Sequence, residues 1–355
     1  MNISDFDYDL PEELIAQEPV EPRDASRLMV LNRQTQQIEH RLFRDIYDYL
    51  NPGDVLVLND TRVIPARLHG ERADTGGKLE VLLLRQLNET DWHVLIGGKR
   101  AETGMSIRFN GGQLTADVID MLADAERVIR FSQPVDDLLD ELGEMPLPPY
   151  IHAPLTDQER YQTIYSRNTG SAAAPTAGLH FTPDLLLAAR EHGVQLAFCT
   201  LTIGLDTFQP VRVDQITEHR IHSESARLTS ENARIINDAK LAGGRIVAVG
   251  TTTARTLETA AILSAGGDPS QPKESEDRCP WRPVIAFEQD TDLFIYPGYK
   301  WRAVDAMVTN FHLPRSTLLM MIGSYTGMDL MRSAYEAARQ ERYRFYSFGD
   351  AMLIL

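Results

Sequence analysis

Two rhythms of apolar and polar positions divide the chain. Between about Ala66 and Ser132, short alternating or β-rich runs recur at about the 8–12-residue spacing of a small all-β unit. The runs cover residues 66–69, 78–86, 92–96, 105–109, 113–119 and 127–132. Turn-forming residues separate them, as in Asp74-Thr75-Gly76-Gly77, Asn88-Glu89-Thr90-Asp91 and Asn110-Gly111-Gly112. Six short strands with tight turns lose their exposed edges most simply by closing, which predicts a small six-stranded β-barrel. Pro146-Leu147-Pro148-Pro149 then reads as a stiff link back to the remainder of the chain.

On either side the order is apolar run, polar turn, amphipathic helix. Residues 54–58 form an apolar strand that ends in Asn59-Asp60-Thr61-Arg62. Thr182 is placed as an N-cap, Pro183 at the first helical position and Gly193 at the C-terminal stop, so a helix is predicted over 184–192 and a strand over 195–201. A helix over 230–241 is halted by Gly243-Gly244, and the strand 245–249 breaks at Gly250-Thr251-Thr252-Thr253 into a helix over 254–264. The strand 304–309 runs through Asn310-Phe311-His312-Leu313-Pro314 into a helix capped by Ser316. This alternation predicts a three-layer α/β domain with a largely parallel sheet. Residues 1–65 and 147–355 would build it, with the barrel domain inserted at 66–146. Residues 266–283, rich in Pro, Ser and charge, read as a surface loop or a locally disordered segment.

Composition changes this picture little. A chain of 355 residues with 43% apolar and 24% charged side chains is an ordinary globular protein. No apolar run approaches the roughly 18 residues of a membrane span, and the acidic start has no signal-peptide pattern, so a cytoplasmic protein with no membrane partner is expected. Cys199 and Cys279 are far apart and in no ligand spacing, which argues against a zinc site or a disulfide framework. The net charge of -16 argues against general phosphate binding, because backbone contacts rely on clustered Lys and Arg. A local basic face remains open at Lys99-Arg100 with Arg108, or at Arg339, Arg342 and Arg344 around Tyr343 and Phe345.

In open α/β sheets ligands bind beyond the carboxyl ends of the strands. Four predicted strands end there in small and functional residues: 59–62, 202–208, 250–253 and 310–312. Gly250-Thr251-Thr252 offers amides and hydroxyls at a helix start, suited to a ribose, carboxylate or phosphate, although a threonine there is often only a cap. No dinucleotide or P-loop glycine pattern is present. His180, just before the Thr182-Pro183 helix start, and His312 are the candidate acids or bases, and Asp60 and Glu224 are further carboxylate candidates. A lone histidine is more often a structural group than a base, and a turn carboxylate is usually solvated or paired. His222-Ser223-Glu224 is too closely spaced to form a triad.

Three of these turns, with other runs along the chain, carry a resemblance. Pro22-Arg23-Asp24-Ala25-Ser26-Arg27-Leu28, Asn59-Asp60-Thr61-Arg62, Ala174-Pro175-Thr176-Ala177-Gly178-Leu179-His180-Phe181-Thr182, His222-Ser223-Glu224, Val249-Gly250-Thr251-Thr252, Phe294-Ile295-Tyr296-Pro297-Gly298-Tyr299 and Thr309-Asn310-Phe311-His312-Leu313-Pro314 occur in order across almost the whole chain. Together they resemble the S-adenosylmethionine:tRNA ribosyltransferase-isomerases of queuosine synthesis. The resemblance implies a ribosyl donor, S-adenosylmethionine, with no permanently bound cofactor and no metal. The acceptor it implies is a tRNA bearing 7-aminomethyl-7-deazaguanine at the wobble position, and the product is epoxyqueuosine-tRNA with adenine and methionine released.

Such chemistry needs a base for the ribose C–H beside the sulfonium, which points to His180 or His312, with Asp60 and Arg62 in positioning roles. Phe181, Phe208 and Phe311 are available as aromatic faces for the sulfonium, and Thr176, Thr251 and Thr252 as hydroxyls for the ribose. Asn59, Pro175, Gly178, His222, Glu224, Gly250 and Asn310 complete the expected binding set. Thr202 stands where the family usually has histidine, and Asp206 where glycine is common. A monomer is expected. Two other readings stay open: a non-catalytic RNA-binding relative, and an enzyme of the same fold acting on a small nucleoside.

Overall fold

The structure is a computed structural model that describes residues 1–97, 101–122, 125–204, 214–219, 221 and 223–355. Strands β1 (Arg27–Asn32) and β2 (Gln37–Leu42) form a hairpin, β3 (Val55–Asn59) is buried along its whole length, and a short β4 (Thr61–Val63) follows it. Next come β5 (Arg67–Arg72), β6 (Lys78–Gln86), β7 (Asp91–Ile96), β8 (Ser106–Phe109), β9 (Leu114–Met121) and β10 (Glu126–Phe131). They pair in the order β5-β6-β7-β10-β9-β8, and β5 also pairs with β8, so the six strands close into an antiparallel barrel. Alternate residues point inward, including Trp92, Val94, Ile96, Ile107, Phe109, Ile129 and Phe131. Gly70 makes the closure possible, because a Cβ there would meet Ile107 and Phe109 at 2.9 Å.

After the barrel, α1 (Leu139–Leu142) leads into β11 (Gly143–Glu144), which pairs with β5, and β12 (Asn168–Ser171) pairs with β4. The remaining elements are α2 (Pro183–Glu191), β13 (Gln195–Leu201), β14 (Glu224–Leu228), α3 (Ser230–Leu241), β15 (Ile246–Val249), α4 (Thr251–Ser264) and β16 (Phe287–Thr291). The chain then runs through β17 (Ala306–Asn310), α5 (Thr317–Thr326), α6 (Met328–Gln340) and β18 (Ala351–Ile354). Nine strands form one sheet in the order β16-β14-β13-β3-β15-β17-β18-β1-β2. Its centre, β13-β3-β15-β17, is parallel; antiparallel pairings appear at the flanks, where β14, β16, β18 and β2 join.

Both faces of the sheet are covered, which gives the three layers. Val55, Val57, Ile246 and Ala248 face one core with α3, α4, α5 and α6, while Leu56, Leu58, Val247 and Val249 face the other with α2 and Phe43. Each Val, Leu or Ile among them contributes about 1.5–3 kcal/mol on burial, which is why these strands read as continuous apolar runs. The flanking strands were not predicted. β2 is a mostly exposed polar edge, and β18 is only four residues long, so neither shows its pairing in local pattern. The helix predicted from Ala254 begins earlier, at Thr251, because Gly250 at φ +94° turns the chain directly from β15 into it. Residues 266–283 lie largely on the surface, where Arg302 holds them by donating to the carbonyls of Pro272 and Ser275. Fully buried Glu258 pins the approach to β17 by accepting from the amides of Arg302, Ala303 and Val304 and from the Tyr299 hydroxyl.

Candidate active site

A cleft enclosing about 660 Å³ of space, open to solvent, lies at the carboxyl edge of the parallel strands. The 174–182 run and two of the four predicted strand-end turns meet in it: Pro175, Thr176 and Ala177; Gly250, Thr251 and Thr252; and Asn310, Phe311 and His312. Parallel pairing of β15 with β17 brings the last two together, and the turn Thr176–His180 packs against the end of β17. No side chain caps α4, and its amides begin beside Gly250, whose own N–H goes to the carbonyl of Val308. The cleft is therefore offered the open donors and positive end of a fourteen-residue helix.

His312 is the histidine on the cleft wall. Its Nε2 shares a 2.7 Å hydrogen bond with the Thr309 hydroxyl, and its backbone is clamped, the N–H donating to Tyr335 Oη and the carbonyl accepting from Tyr8. Burial lowers its pKa to about 3, so the ring is neutral at pH 7.

His180 stands one layer behind. The amide of Asn310 donates through Nδ2 to the carbonyl of Tyr346 at 3.0 Å, which fixes its orientation. The same Nδ2 lies 3.2 Å from His180 Nε2, which must therefore be the bare, accepting nitrogen. Nδ1–H then donates to Ser26 Oγ at 2.8 Å, and Ser26 donates to the carbonyl of Arg23 at 3.3 Å. The ring stacks on Phe43, and burial, with the guanidinium groups of Arg344 and Arg23, lowers its pKa to about 3. This histidine holds Asn310 in place rather than facing the cleft.

Other expected site residues are also placed behind the wall. Phe181 is buried edge-on against Phe43 and offers no face to a ligand, because its side of the turn packs into the core. Gly178 is required by packing: a Cβ there would drive into the Tyr165 hydroxyl. Asp60 is buried, with one oxygen accepting from Arg167 Nε and the other from Thr200 Oγ1, each at 2.7 Å. Asn59 ties strand ends together, donating to the carbonyl of Leu201 and to Thr252 Oγ1. Arg62 is half-exposed and bound to Glu159 and to Ser166. Glu224 forms a buried ion pair with Arg255 that joins β14 to α4. Thr202 is half-buried beside Ile203 of the cleft wall, its N–H donating to Ser225 O. Phe208 and His222, with Lys99, Arg100 and Asp206, lie outside the described residues.

Sequence reasoning missed several groups. Thr309 sets the hydrogen bonding of His312, and Tyr150, Tyr346 and Ser347 help line the cleft. Asn310 Oδ1 is buried with no protein partner. An acceptor left so costs about 1–3 kcal/mol unless something bonds to it. Of the second predicted basic cluster, Arg339 pairs with Asp9 and Glu336, Arg342 reaches Glu13, and Tyr343 and Phe345 are core residues. Among the described residues, no group of three or more His, Cys, Asp or Glu side chains is arranged to hold a metal, and no helix is long and apolar enough to cross a membrane.

Residues 3–354 match the family model described as queuosine biosynthesis protein. A relative from Clostridioides difficile (strain 630), an S-adenosylmethionine:tRNA ribosyltransferase-isomerase, is 51% identical over the full length of both chains. One of the same name from Desulforamulus reducens is 49% identical, again over both full lengths. The crystal structure of S-adenosylmethionine tRNA ribosyltransferase from Thermotoga maritima is similar over 99% of this chain and 100% of that one, at 41% identity and a TM-score of 0.55.

Proposed function

The chain belongs to the queuosine biosynthesis protein family as an enzyme that transfers and isomerises the ribosyl group of S-adenosylmethionine onto tRNA, and from that premise we propose how its cleft works. S-Adenosylmethionine lies in the cleft between Pro175-Thr176, Gly250-Thr251-Thr252 and Asn310-Phe311-His312. The acceptor is the amine of 7-aminomethyl-7-deazaguanine at the tRNA wobble position. Transfer and rearrangement give epoxyqueuosine-tRNA, while adenine and methionine leave. The observation that carries this reading is the convergence of an uncapped helix start, an orphaned Asn310 Oδ1 and a neutral imidazole on one open cleft.

Each group has a task suited to its chemistry. The amides and hydroxyls of Thr251 and Thr252 hold ribose oxygens, and Asn310 Oδ1 accepts an N–H or O–H of the donor. His312 accepts the ribose proton next to the sulfonium, since its neutral form presents a bare ring nitrogen. The burial that keeps it neutral also weakens it as a base, so acidification of the carbon by the sulfonium supplies most of the driving force. The Thr309 hydroxyl orients the ring. His180 acts through Asn310 as a positioning residue. The enzyme works in the cytoplasm as a monomer, one chain supplying all three walls of the cleft.

Incubation with S-adenosylmethionine and tRNA carrying the aminomethyl-deazaguanine base, followed by measurement of adenine and methionine, tests the reading. Release that requires that tRNA supports it. Release with the free base or nucleoside alone points to a small-nucleoside enzyme, and tight tRNA binding without release to a binding protein.

A further inference from the structure

Beside the cleft, a second hollow, open to solvent and spanning about 260 Å³ of space, gathers three guanidinium groups from distant parts of the chain. Arg23 comes from the turn Arg23–Ala25, Arg160 from Gln158–Tyr161, and Arg344 from the segment after α6. Ser26 and His180 form part of its wall, and Ser347 lines both this hollow and the cleft. On a chain of net charge -16 such a cluster is unexpected.

Its charges are incompletely compensated. Arg23 is half-buried and has no carboxylate within 4 Å among the described residues; it donates only to the carbonyls of Leu179 and Glu159. Arg160 pairs with Glu21 at 3.3 Å, but that glutamate side chain is 76% exposed and free to turn away. Arg344 meets buried Asp350 at 3.5 Å, a long contact, and Asp350 already accepts from the amides of Arg27 and Arg344. The field agrees with the geometry: Arg344 and Arg23 both disfavour protonation of His180, and Arg160 acts on Arg23 more strongly than Glu21, Asp157 or Glu159 does.

We propose that Arg23, Arg160 and Arg344 form a receiving site for a backbone phosphate of the tRNA, next to the nucleotide whose base enters the cleft. This rests on the proposed function, under which a tRNA nucleotide reaches the adjoining cleft and brings its own phosphates to the rim. Guanidinium forks suit a phosphate oxyanion, and a hollow that shares Ser347 with the cleft is close enough for a neighbouring phosphate. The Ser26–His180–Asn310 hydrogen bonds then join the phosphate site to the donor site, because Ser26 is bonded to the carbonyl of Arg23 itself.

The test uses the full chain, with S-adenosylmethionine binding followed by calorimetry and tRNA binding by fluorescence anisotropy across a salt series. Arg160→Gln and Arg344→Gln should each weaken tRNA binding about tenfold, the loss of one charged hydrogen-bond contact. The slope of log affinity on log salt should fall by about 0.7–1. Arg344→Lys should restore the slope but only part of the affinity, and S-adenosylmethionine affinity should be unchanged in all three. If Arg344→Gln proves unstable on melting, Arg160→Gln carries the comparison. Unchanged salt slopes overturn the site. So does a loss of S-adenosylmethionine affinity with tRNA binding intact, which would give the hollow to the methionine carboxylate. A wild-type chain that binds no tRNA and releases no adenine with it overturns the proposed function as well. Wild-type turnover with unaltered variant slopes overturns the phosphate site alone.

Discussion

Nδ2 of Asn310 donates across 3.2 Å to Nε2 of His180, two residues 130 positions apart in the chain. The bond leaves His180 without a free nitrogen, since Nδ1 is engaged with Ser26, and leaves Asn310 with one unsatisfied oxygen at the cleft. The histidine is thus a support for the asparagine.

On the proposed reading, replacing His180 with Ala removes a support rather than a base. We expect the folded protein to lose about 2–4 kcal/mol, from a cavity against Phe43 and two lost hydrogen bonds. Turnover should fall, while the pH profile of kcat keeps its shape. Denaturant unfolding and a pH–rate series on the variant measure both, and a lost limb in that profile would return His180 to a proton-transfer role.

His312 should behave differently. His312→Ala is expected to cut adenine release at least about a hundredfold, the low end for a general base. S-Adenosylmethionine affinity should stay within a few-fold, and stopped-assay kinetics beside calorimetry separate the two effects. Thr309→Val, which removes the hydrogen bond to Nε2, should lower kcat more than it raises KM.

Both histidines fold with pKa values of about 3 against an ordinary 6.5. Between those limits the unfolded chain binds protons that the folded chain refuses. Their effect on stability is therefore absent above pH 6.5 and grows as pH falls towards 3, at about 1.4 kcal/mol per pH unit for each ring. Urea unfolding over this range should show the slope, and His180→Gln should flatten it by one ring's share.

Glu224 and Arg255 form a buried pair. Glu224→Leu strands the guanidinium and should destabilise the fold by about 3–5 kcal/mol, as should Arg255→Met by stranding the carboxylate, whereas the two together should recover most of that loss. Thermal melts of the two single variants and the double variant form the cycle, and additive losses would show that the pair is not coupled.

Gly250 sits at φ +94° and ψ 154°, an almost glycine-only region where an alanine is strained by about 1–3 kcal/mol. Gly250→Ala should weaken S-adenosylmethionine binding by more than its melting shift explains, because the first amides of α4 must move. Equal effects on melting and binding would confine the glycine to a structural role.

What the sequence determined by itself was whatever local pattern encodes. The alternation in β5 to β10 called for a closed barrel, and the apolar runs of β3, β15 and β17 for a covered sheet, because each burial pattern repeats within a few residues. It also brought His312, Asn310, Thr251 and Thr252 to one sheet edge, since a strand direction and the turn after it fix where such residues emerge. Tertiary structure alone decided which of them face the cleft. Phe181 and Gly178 share a turn with Thr176, yet Phe43 and Tyr165 enclose them while Thr176 stays on the cleft. Asp60 was legible as a turn carboxylate, but its partners, Arg167 just before β12 and Thr200 in β13, lie far along the chain. The meeting of Arg23, Arg160 and Arg344 has the same origin. Solvation, pairing and pKa depend on neighbours in space, and no periodicity along the chain records those.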